Sequence, residues 1–142
     1  MRGPSYIRSI CFLLLLSTSL LSSAEQLMVV VHKDAEIDRL SKKQIKRIFM
    51  EPYSPSHLKP VNLPKGSKTR VIFNTKVIGL PESRISSYWA QMKFSGRGKP
   101  PMELDSETDV LDLIQNSKKH VGYLLINSDL PAGVKPLFTI QY

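Results

Sequence analysis

The stretch LPKGSKTRVIF, Leu63 to Phe73, brings one glycine, two hydroxyls and three cations together just ahead of an apolar run. Such a set suits an oxyanion. A glycine-led turn at Gly66 leaves the N–H groups of residues 67 to 70 without intrahelical partners, at the positive end of the helix macrodipole. Ser67 and Thr69 add hydroxyl donors, and Lys68 and Arg70 add charge. The same residues admit a second reading, in which Ser67 merely caps the helix and the basic side chains face water. GSKT is not a nucleotide-binding P-loop. That motif needs an earlier glycine and a glycine directly before its lysine, and Gly66 is followed by Ser67.

Other chemistries find less support. His32, His57 and His120 stand alone, without the converging donors a metal needs, so no metal and no cofactor is expected. No GxSxG elbow occurs, and the serines lack a recognisable base. Glu103, Asp105, Glu107, Asp109 and Asp112 form an acidic stretch that reads as capping and solubility, not as a catalytic carboxylate pair. The expectation is a binding protein and no enzyme.

The elements that must carry these residues follow from local patterns. QLMVVVH, Gln26 to His32, is a valine-rich run suited to a buried strand. Ser41 three residues before Gln44 makes a capping box for a helix whose Ile45, Ile48 and Phe49 share one face, ending at Pro52. Leu58 to Leu63 reads as a strand, with Pro60 suggesting its end or an edge. A second helix follows Gly66-Ser67 and runs to Ile78, with Gly79 just past its end. A third starts near Pro81 and places Ile85, Tyr88, Trp89 and Met92 in a core-facing stripe. Ser95 to Pro101 is a loop. A fourth helix begins at Ser106 with Val110, Leu113 and Ile114 inward, and His120 to Ile126 and Val134 to Ile140 are the last strands. Strands alternating with helices around one core describe an α/β domain.

The N-terminus adds an address. Arg2 and Arg8 precede an apolar, leucine-rich run, and Ser22-Ser23-Ala24 offers small residues at a cleavage site, the pattern of a signal peptide removed after Ala24. Serines at 17, 19, 22 and 23 break the run and argue against a retained membrane anchor. Residues 1–24 are thus expected to leave and residues 25–142 to form one domain, taking Cys11, the only cysteine, with the leader. The expected location is the periplasm, a setting that disfavours nucleic acid as partner. Without Arg2 and Arg8 the balance is 18 basic against 12 acidic residues, or +6. Part of that surplus, Lys42, Lys43, Lys46 and Arg47, lies on one helix, read as either its solvated face or a patch for an acidic partner.

Taken in order, LSKKQIKRIF (Leu40 to Phe49), LPKGSKTRVIF, YWAQMKFSGRGKPP (Tyr88 to Pro101) and HVGYLL (His120 to Leu125) resemble the periplasmic substrate-binding proteins of phosphate ABC transporters. The resemblance spans about Met28 to Ile140. It implies a single lobe similar to a type 2 periplasmic-binding-protein domain, a mixed sheet flanked by helices. It also implies that Ser67 and Thr69 match the residues binding phosphate oxygens. Two positions depart from the family pattern: Lys68 stands where glycine is usual, and Leu63 where tight phosphate binders place an arginine. Members that trap phosphate close two lobes on it, whereas these motifs belong to one.

The expected function is binding of inorganic phosphate or a similar small oxyanion at Gly66, Ser67, Lys68, Thr69 and Arg70, with Arg97 and Lys99 as auxiliary cations. The partner implied is an inner-membrane ABC permease or another envelope protein. The alternative is an envelope interaction module that kept the fold and lost the ligand, presenting the helix face around Lys42 to Arg47.

Overall fold

The computed structural model describes residues 24–54 and 56–142. The leader assigned to residues 1–24 therefore lies, but for Ala24, outside the described residues. Five strands and four helices follow in the order β1 (Gln26–His32), α1 (Lys42–Met50), β2 (Lys59–Asn62), α2 (Lys68–Phe73), α3 (Glu82–Phe94), β3 (Met102–Glu103), α4 (Glu107–Asn116), β4 (His120–Ile126) and β5 (Val134–Gln141). After Phe73, α2 continues through a π-helical turn, Asn74–Ile78. The strands form one mixed sheet in the order β3-β2-β4-β1-β5. β1 is antiparallel to both β4 and β5, whereas β2 is parallel to β4 and to β3. The α/β class and the mixed sheet flanked by helices are as expected.

Local signals explain most boundaries. Ser41 and Gln44 form the capping box, the serine Oγ accepting the Gln44 N–H while Gln44 Oε1 accepts the Ser41 N–H. Gly79, at φ 73°, ends the second helical segment in the left-handed conformation that glycine enters without steric cost. Ser106 Oγ accepts the Asp109 N–H at the start of α4. β3 escapes the sequence reading, which takes Ser95 to Pro101 as a loop and begins nothing at Met102. A two-residue strand with both side chains exposed has no alternation to read. Pro60 lies in β2, with β4 on one side and β3 on the other. The β3 pairing begins only at Val61, so the proline ring meets an open flank, which accommodates its missing N–H.

The sheet is covered on both faces. On one, Phe49 of α1, Phe73 of α2 and Tyr123 of β4 meet, with the Phe73 and Tyr123 rings stacked at 3.9 Å and the Phe49 and Phe73 rings tilted at 4.7 Å. On the other, α4 lies so close to β4 that a Cβ at Gly122 would stand 2.5 Å from Val110 Cγ1 and 3.2 Å from Val61 Cγ2. Val29, Val30 and Val31 of β1 are all buried, as a central strand covered on both sides requires. In α3, Ile85 and Trp89 are buried, while Tyr88 and Met92 are half-buried at its edge.

Candidate oxyanion site

Between β2 and α2 the chain makes a tight turn in which Pro64 C=O accepts the Ser67 N–H at 3.1 Å. Gly66 is its third residue, at φ 82°, where a turn of this kind needs glycine. This corrects the expected donor count. The Ser67 N–H is taken by Pro64, so the free N–H groups begin one residue later. Those of residues 68 to 70 have no acceptor among the described residues. Ser67 holds the N-cap position, yet its hydroxyl makes no capping bond and is buried without a hydrogen-bond partner among the described residues.

The other side chains of the turn are engaged by carboxylates. The Thr69 hydroxyl donates to Glu107 Oε1, and Glu107 Oε2 accepts the Leu125 N–H of β4 at 3.0 Å. Glu107 is the first residue of α4, so one carboxylate ties the start of α2, the start of α4 and β4 together, with helix N-termini favouring its negative charge. Lys68 reaches outward to Glu25, Nζ to Oε2 at 2.6 Å, and the Tyr142 hydroxyl donates to the same oxygen at 2.6 Å. Hydrogen bonds from Lys68 and then Tyr142 hold Glu25 below the usual carboxylate range. The bond to Glu25 holds Lys68 above its ordinary value.

Arg70, only 4% exposed, points away from solvent. Its Nε and Nη2 grip Glu82 in a two-pronged pair at 2.8 Å each, and Nη1 donates to Glu103 at 2.8 Å and to the Leu63 C=O at 2.6 Å. Asn74 and Ser86 complete the shell of Glu82. Burial pushes the Glu82 carboxyl up, but hydrogen bonds and charge from Arg70, with Ser86 and Asn74, outweigh it and hold the group below its ordinary value. The network extends to β4, where Tyr123 Oη donates to Asn62 Oδ1 and accepts the Leu63 N–H at 3.2 Å. Burial raises the Tyr123 phenol well above its ordinary value.

Of the residues expected to form the site, Gly66 to Arg70 are together by chain continuity. Arg97 and Lys99 lie on the exposed loop after α3, and no hydrogen bond or ion pair joins them to the turn among the described residues. The sequence reading missed Glu82, Glu103 and Glu107, taking the last two for capping and solubility. The signal that could have found them is charge balance, since a buried guanidinium requires carboxylate partners.

No protein-family model and no curated protein matches the chain. Solved structures do. An ABC-type phosphate transport receptor from Vibrio cholerae aligns over 81% of this chain and 46% of its own, at 17% identity and TM-score 0.57. A candidate phosphate ABC transporter substrate-binding protein from Clostridium perfringens, solved with bound phosphate, aligns over 81% and 45%, at 18% identity and TM-score 0.59. PstS from Borrelia burgdorferi aligns over 72% and 42%, at 9% identity and TM-score 0.53. The chain spans less than half the length of these neighbours, and what it shares with them is the fold of a periplasmic-binding-protein-like α/β domain.

Proposed function

We propose that this chain is a periplasmic binding protein for a small oxyanion of the phosphate class, received at Gly66, Ser67, Lys68, Thr69 and Arg70, and that it acts by binding rather than by catalysis. The observation that carries the reading is the contact between Thr69 and Glu107. The turn already holds an oxyanion, the carboxylate of its own α4, through a hydroxyl of the expected donor set. A tetrahedral anion with free N–H groups at residues 68 to 70 would take the same position by displacing Glu107. The structural neighbours described as phosphate transport proteins support the phosphate class and an ABC permease as the membrane partner.

Arg70 contributes differently from Lys68. Its guanidinium is engaged by Glu82 and Glu103, so the side chain braces the turn through the Leu63 carbonyl and only the Arg70 backbone N–H is left for the ligand. Lys68 is exposed and can leave Glu25 for an incoming anion. With a resident carboxylate to displace, affinity is weak, on the order of millimolar to tens of micromolar, or roughly 4 to 7 kcal/mol. The test is an NMR titration of wild type and Thr69→Ala with phosphate and with sulfate. Amide shifts centred on residues 66 to 70, diminished in the variant, are expected. Their absence at tens of millimolar phosphate overturns the reading and leaves the turn as a structural lock.

A further inference from the structure

The two most exposed aromatic rings in the described chain are Phe94, at 96%, and Tyr53, at 85%. They belong to segments far apart in sequence that meet at one contact. Gly98 lies against Pro52 so closely that a Cβ there would be 2.6 Å from Pro52 Cβ. Tyr53 follows that proline directly, and Phe94 closes α3 four residues before that glycine. Cations surround the same place: Lys93, Arg97 and Lys99 are all exposed, and none is paired with a carboxylate among the described residues. The nearest carboxylates along these segments are already engaged, Glu51 by Arg47 at 3.0 Å and Glu103 by Arg70 at 2.8 Å.

We propose that the surface about the Pro52–Gly98 contact, which carries exposed Tyr53 and Phe94 with Lys93, Arg97 and Lys99, docks on an anionic phospholipid bilayer. Rings without apolar neighbours gain by entering the boundary between headgroups and acyl chains, and flanking lysine and arginine side chains meet lipid phosphates. The charge complementarity favours a bilayer over an acidic protein. The cations are long and exposed, and among the described residues no ion pair or hydrogen bond fixes their side chains in one defined geometry, which suits a fluid surface of like charges. The surface is separate from the oxyanion turn and does not depend on the reading of that turn.

The test is co-sedimentation of the chain recovered from exporting cells, its first residue fixed by intact mass. One set of vesicles is pure phosphatidylcholine and the other contains about one-quarter phosphatidylglycerol as the anionic lipid. Wild type is expected to favour the anionic vesicles, with a preference that fades as salt rises. Arg97→Gln and Lys99→Gln should each weaken that preference about fivefold, the effect of about 1 kcal/mol per cation near a charged surface. Phe94→Ser, at a position with nothing to unpack, should keep the wild-type circular dichroism and melting curve while losing most of the binding. Equal sedimentation with both vesicle types, or Phe94→Ser binding like wild type, overturns the proposal.

Discussion

Thr69 and Glu107 stand 38 residues apart in the chain, and the hydroxyl of the first donates to the carboxylate of the second. Through this one bond the start of α2 is held to the start of α4, and the other oxygen of Glu107 carries the link to Leu125 of β4. The carboxylate is therefore a brace and, under the proposed function, also the ion that phosphate must displace.

Glu107→Gln separates these roles. An amide keeps an acceptor for one partner but carries no charge to compete with phosphate, so phosphate affinity should rise about three- to tenfold. Stability should fall by about 1 to 2 kcal/mol through loss of charge-assisted bonds. Calorimetric titration with phosphate and a urea melt check the two halves independently.

Arg70 is the buried hub between α2, α3 and β3. Arg70→Ala strands two carboxylates, and the cost should be about 3 kcal/mol, at the low end for broken buried pairs because Glu82 and Glu103 keep some contact with water. Chemical denaturation is the measurement, and a loss below about 0.5 kcal/mol, the range of an ordinary surface change, would show that the network is dispensable.

Acid should weaken the fold through the same network. Glu82 is held below its ordinary value of 4.5 in the folded chain, so its contribution is complete above that value and disappears as pH falls through the lower folded value. Scanning calorimetry should show the melting temperature dropping on acidification below about pH 4.5, with a shallower drop in Glu82→Gln.

Trp89, 6% exposed, packs with Ile85 on the inner side of α3. Trp89→Ala should cost about 3 to 5 kcal/mol. The indole N–H is buried without an acceptor among the described residues, so Trp89→Phe removes an unpaired donor along with some volume and should cost less than half as much. Melts of the two variants side by side test the order.

Gly122→Ala tests how closely α4 approaches the sheet. The new methyl would meet Val110 and Val61 below normal contact distance, and a loss of about 1 to 3 kcal/mol is expected. Adding Val110→Ala to that variant should recover part of it by opening room where the methyl points.

Much of the architecture was legible because its signals are local. The Ser41 to Gln44 box, the left-handed Gly79 and the Ile85 to Trp89 spacing each act within one helical turn, and a sequence displays them directly. Gly66 was recognised as a turn for the same reason, and the residues expected to bind an anion remain together because they are consecutive. Pairing across the chain has no such local cause. Glu82, Glu103 and Glu107 reach Arg70 and Thr69 over separations of 12, 33 and 38 residues. Which acid meets which donor depends on the strand order and on how α3 and α4 lie against the sheet. β3 exists only because Met102 and Glu103 fall beside Val61 and Asn62, an edge pairing with no hydrophobic pattern behind it. The sequence by itself determined an α/β domain with a glycine-led, donor-rich turn at residues 66 to 70. Only the tertiary structure decided that carboxylates of the same chain occupy the turn's side chains, because loop closure, not local propensity, brings them there.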